Sequence, residues 1–70
     1  MNNIDKLTRK EKEVFKYIIE AMSDAEIAIS MTISLSTVKM HIHNILTKAG
    51  VRDRKQLIVY EHKGILKINN

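Results

Sequence analysis

Apolar positions along the chain recur at helical spacing. Phe15, Ile18, Ile19 and Met22 fall at i, i+3, i+4 and i+7, with Val14 beside them, a stripe that one side of an α-helix can bury. Val38, Ile42, Ile45, Leu46 and Ala49 keep to a second long stripe, and Ile27, Ala28 and Met31, then Leu57, Ile58 and Tyr60, form two shorter sets. Each stripe follows a residue able to cap a helix. Thr8 with Glu11, and Ser23 with Glu26, have the spacing of a capping box, in which a short side chain accepts from the third amide and a Glu or Gln reaches back. Ser34 precedes the third set, and Asp53 with Gln56 opens the fourth. The first helix is therefore predicted from Thr8 to about Ala21 and the second from Ser23 until just before Thr32. The third is predicted over 35–48 with Gly50 beyond its end, and the fourth up to Gly64. No alternating run of strand length occurs and there is no proline, so the fold class expected is all-α with four helices. Residues 1–6 and 67–70 are expected as flexible tails around a single domain, residues 7–66.

A short helix, a few residues of turn and a longer capped helix make the layout of a helix-turn-helix, whose second member lies in the DNA major groove. That member here is the third helix. At about 100° per residue, the face opposite its apolar stripe presents Ser36, Thr37, Met40, His43, Asn44, Thr47 and Lys48, with Lys39 and His41 on the flanks. The face holds no carboxylate, which would repel phosphate, whereas hydroxyls, amides and lysine can donate to phosphates or base edges. A stretch this short can also lack acids by chance. Ser36 and Thr37 stand in the first turn, where unpaired amides and the positive end of the helix dipole favour an anion.

Charge adds a direction. Residues 1–38 carry five cations against six carboxylates, whereas residues 39–70 carry seven cations (Lys39, Lys48, Arg52, Arg54, Lys55, Lys63, Lys67) against Asp53 and Glu61 alone. A polyanion belongs on that second half, although solvated surface lysines would give the same count. At 70 residues the core must be small, and with no cysteine neither a disulfide nor a thiolate metal site can staple it. Helix packing, helped by dimerisation, has to supply the stability. No apolar run approaches the roughly 18 residues of a membrane span, and the start Met1-Asn2-Asn3 is unlike a signal peptide, so no membrane association and a cytoplasmic location are expected. His41 and His43 lie about 200° apart around a helix and cannot share an ion, so no metal is expected. With no nucleophilic cysteine and no glycine-rich phosphate loop, neither enzymatic activity nor a cofactor or small-molecule ligand is expected.

The run Leu7-Thr8-x-x-Glu11-x-Glu13-Val14, then Ser23-x-x-Glu26-Ile27-Ala28, then Ile33-Ser34-x-x-Thr37-Val38-Lys39-x-His41-Ile42-x-Asn44-Ile45, then Lys48-x-Gly50-Val51-x-Asp53-Arg54-x-Gln56 resembles the bacterial LuxR/GerE-type helix-turn-helix domain. The match covers about residues 7–64 in order and without a gap. The resemblance implies a four-helix domain whose third helix reads double-stranded DNA and whose fourth pairs with its twin in a homodimer. By position it implies Lys39, Met40 and His43 at base edges and Ser36, Thr37, Asn44 and Lys48 near phosphates. Arg54 would lie near the backbone, with Leu57, Ile58 and Glu61 in the dimer contact. Ala21 stands where the family usually has glycine, Leu35 where it has an acid, Ile29 where it has a polar residue, and Ala49 where it has leucine.

The expected function is sequence-specific transcriptional regulation by a dimer. Relatives usually carry an N-terminal controlling domain, and the nearness of Met1 to the fold suggests a free-standing regulator of the short GerE kind, although an excised output domain would read the same. A second reading is a protein-interaction module in which Leu35, Ile29 and the fourth helix grip a partner such as RNA polymerase. An RNA binder is the weaker third, since Phe15, Tyr17 and Tyr60 are the only aromatics and form no stacking platform on the basic face.

Overall fold

The computed structural model describes residues 4–66 and contains a 3-10 turn, Ile4–Lys6, followed by four α-helices: α1 (Arg9–Ile19), α2 (Asp24–Met31), α3 (Leu35–Ala49) and α4 (Arg54–His62). Every helix starts where the capping residues place it. Thr8, Ser23, Ser34 and Asp53 each accept from the amide three residues on, at 3.1, 3.1, 3.1 and 2.8 Å. The first two pairs close full capping boxes, with Glu11 and Glu26 accepting in return from the Thr8 and Ser23 amides. Gln56 departs from that pattern: its side-chain oxygen accepts from the Arg52 amide at 2.8 Å, one residue farther back.

All four helices also end in one way. A residue with left-handed backbone, Ala21, Thr32, Gly50 or Gly64, donates to the carbonyl three residues back, and the next residue donates five back: Met22 to Tyr17, Ile33 to Ala28, Val51 to Leu46 and Ile65 to Tyr60. This paired closure satisfies carbonyls that the helix end would leave open. Glycine performs it without steric cost at two positions, but Ala21 (φ 64°) and Thr32 (φ 56°) must hold a Cβ in the left-handed region. The first helix therefore stops at Ile19, two residues before the predicted Ala21, because Ala21 forms the closure.

Packing centres on α3, which touches the 3-10 turn and each of the other helices. Its inner residues Val38, Ile45 and Ala49 meet Val14, Phe15 and Ile18 from α1, Ile27 from α2 and Leu57 from α4 in one core. Ile4, Leu7, Val51 and Leu66 close that core. The burial of Ile4 corrects the expectation of a flexible tail through residue 6: Ile4 has a core to enter, and the turn it anchors packs on α3. Residues 1–3 and 67–70, the remainder of the two expected tails, lie outside the described residues. Among the described residues no helix is long and apolar enough to cross a membrane.

Ala21 is exposed, so removing its methyl loses no packing while relieving the left-handed cost. Ala21→Gly is expected to raise unfolding stability by about 0.5–1 kcal/mol, measured by urea denaturation. Destabilisation would show that the closure tolerates Ala without strain.

Candidate nucleic-acid interface

The helix that carries the core also carries the outward face. Val38, Ile45 and Ala49 point α3 inward, which leaves Ser36, Lys39, Met40, His43 and Thr47 exposed along its length. Ser36, Met40, His43 and Thr47 follow one another at i, i+4, i+7 and i+11, a single line on the helix surface, with Lys39 beside it. Thr37, His41 and Asn44 are half-buried at the border. His41 and His43 thus part company as their spacing requires, one at the margin of the core and one in solvent. Leu35 opens the helix, also exposed.

The N-terminal turn of α3 is organised by hydroxyls. The Ser34 oxygen that accepts from the Thr37 amide also lies 3.1 Å from the Ser36 hydroxyl and 2.8 Å from that of Thr37. Farther along, the Thr47 hydroxyl donates to the His43 carbonyl at 3.0 Å. The resulting surface is made of small polar groups, one thioether, one imidazole and one ammonium, and α3 has no carboxylate anywhere.

Two cations expected near DNA are engaged inside the domain. The Lys48 ammonium donates to Glu11 Oε1 at 2.6 Å and to the Lys6 carbonyl at 3.2 Å, tying α3 to α1 and to the 3-10 turn. Arg54 donates through one guanidinium nitrogen to the Asp24 carboxylate and through the other to the Met22 carbonyl, tying the start of α4 to the start of α2. Both side chains keep about a third of their surface in solvent. The sequence carries no local sign of either pair, because the partners lie 37 and 30 positions apart.

The expected dimer contact changes as well. Leu57 is fully buried in the core of its own chain and has no surface to offer a second copy. Its place in the apolar set of α4 is what buries it. Ile58 and Glu61 are half-buried, and Val59, outside the expected contact set, is exposed on the same helix.

Glu11 is the one buried charged residue among those described. Burial pushes its carboxyl up, but the Lys48 hydrogen bond, the Thr8 amide and the charges of Lys48 and His41 outweigh it and hold the group below its ordinary value of 4.5. A carboxylate lowered in the folded state stabilises the fold above its unfolded value, and that contribution is lost as pH falls through the folded one. The unfolding midpoint is therefore expected to stay level down to about pH 5 and to fall in acid below it, and Glu11→Gln should flatten part of that fall. An acid profile identical in the variant would show that the Glu11–Lys48 pair contributes nothing to stability.

The profile of a family described as "Bacterial regulatory proteins, luxR family" matches residues 5–61. The chain is 42% identical over 62 residues to the transcriptional regulatory protein LiaR of Bacillus subtilis (strain 168), a match covering 89% of this chain and 29% of that protein. It is 43% identical over 54 residues to the response regulator protein VraR of Staphylococcus aureus (strain NCTC 8325 / PS 47), covering 77% of this chain and 26% of that protein. The chain spans less than a third of the length of these curated relatives.

Proposed function

Because the chain belongs to the luxR family of bacterial regulatory proteins, a family built on a DNA-binding helix-turn-helix domain, we propose that it regulates transcription by placing α3 in the major groove of a specific DNA site. The observation that carries this reading is the outer face of α3: exposed, without a carboxylate, and presented by the helix that the rest of the fold holds in place. Lys39 and His43 are the hydrogen-bonding readers of base edges, Lys39 as a donor suited to guanine and His43 as a donor or acceptor, while Met40 packs. Ser36, Thr37 and Asn44 lie against phosphates, with the open amides of the first turn of α3. Lys48 and Arg54 act chiefly as internal ties that set the position of α3 and α2, each offering its solvent-facing third to the DNA backbone. Two copies pair through α4, using Ile58, Val59 and Glu61, so that two α3 helices meet two half-sites.

The test is selection from a random-duplex library with the wild-type chain and with Lys39→Ala in parallel. We expect a site of two-fold symmetry, with the variant weakened by about 1–3 kcal/mol at one base pair per half-site. Affinity should also fall steeply with added salt as counterions are released. Failure of both proteins to enrich any site would remove the DNA reading.

A further inference from the structure

Helix α2 is the element that the core holds least. It buries Ile27 alone, whereas α1 buries Val14, Phe15 and Ile18 and α3 buries Val38, Ile45 and Ala49. Its main packing neighbour is α3. The fourth helix also buries one residue, Leu57, but packs on both α1 and α3. Both junctions of α2 are strained as well. Ala21 before it and Thr32 after it are the two non-glycine residues with left-handed backbone among those described, and a branched side chain such as that of Thr32 is poorly tolerated there. With α2 in place both residues hold that geometry, and an opened α2 lets them relax. Against this stands one clasp. Arg54, the first residue of α4, donates to the Asp24 carboxylate in the first turn of α2 and to the Met22 carbonyl, next to Ala21. The far junction runs straight into α3, since Ile33 follows Thr32 and Ser34 caps that helix.

We propose that α2 opens as a unit apart from the rest of the domain, that Arg54 is the clasp that holds it closed, and that DNA binds the closed form. An element with few buried apolar side chains opens at a lower free energy than the whole domain unfolds. Opening removes the helix against which the turn of Thr32 and Ile33 is set, and with it the approach of the chain to the Ser34 cap. The first turn of α3 then loses the support that aims it. A ligand that binds the closed form alone suppresses opening in proportion to its saturation. The coupling to DNA rests on the reading of α3 as the groove helix; the opening of α2 does not.

Amide hydrogen exchange, read by NMR on the chain alone and then with the duplex selected by the wild-type chain, tests both parts. In the free wild type, the amides of residues 28–31 should be less protected than those of residues 14–18 and 42–49. Arg54→Ala should speed exchange in α2 by about tenfold, the weight of one charge-assisted hydrogen bond, and leave α3 unchanged. Adding Thr32→Gly to that variant should take back about threefold by relieving one junction. Where Arg54→Ala fails to fold, Asp24→Asn, which keeps a neutral acceptor, should shift α2 in the same direction by less. Duplex at about a hundred times its dissociation constant should slow α2 exchange in the wild type by about a hundredfold. Exchange from α2 at the rate of α3, or a change shared equally by both helices in the variants, would overturn the separate opening. Slowing of α3 by the duplex with α2 unaffected would overturn the coupling to DNA. Absence of any selected duplex would instead overturn the groove-helix reading and leave the opening of α2 standing on the free-chain result.

Discussion

The fold depends on a single constraint, that one 15-residue helix must serve as both strut and surface. Val38, Ile45 and Ala49 give α3 a fully apolar inner edge, and every other element packs on it. A helix committed to the core on one side has its opposite side aimed by the whole domain. The line Ser36, Met40, His43 and Thr47 is therefore aimed by the packing of α1, α2 and α4 on the inner side of α3, with the hydroxyl bonds of Ser36 and Thr47 acting only within the helix and its cap.

The two internal ion pairs serve the same constraint. Lys48–Glu11 and Arg54–Asp24 join elements far apart in sequence, and each cation adds a hydrogen bond to a backbone carbonyl. Partly exposed pairs contribute little to stability individually, so their value is geometric: they fix where α3 and α2 lie. Glu11 is buried beneath Lys48, and Asp24, as exposed as Arg54, has its charge offset by the guanidinium.

What was legible in the sequence was local. The four N-terminal caps are short-range hydrogen bonds between residues three apart, and each could be placed to the residue. The glycine closures at Gly50 and Gly64 were equally plain, whereas Ala21 makes the same turn without the residue type that announces it, and the end of α1 was placed too late. The inner and outer faces of α3 followed from periodicity alone. Long-range partnerships did not. Nothing near Lys48 or Arg54 distinguishes a lysine or arginine bound for phosphate from one bound for a carboxylate 30 or more positions away. Leu57 shows the same limit for apolar residues, since helical spacing places it on a stripe without saying whether its own core or a second copy covers it. Ile4 entered the core from a segment with no periodicity to mark it.

DNA binding by the outer face of α3 can be followed directly in solution. Backbone amide NMR shifts, followed while the selected duplex is titrated into the labelled chain, test it residue by residue. The largest changes are expected on residues 35–48, with smaller ones at the start of α2 and at the start of α4. Changes concentrated elsewhere, with the amides of Ser36, Lys39, Met40 and His43 unmoved at saturation, would contradict it.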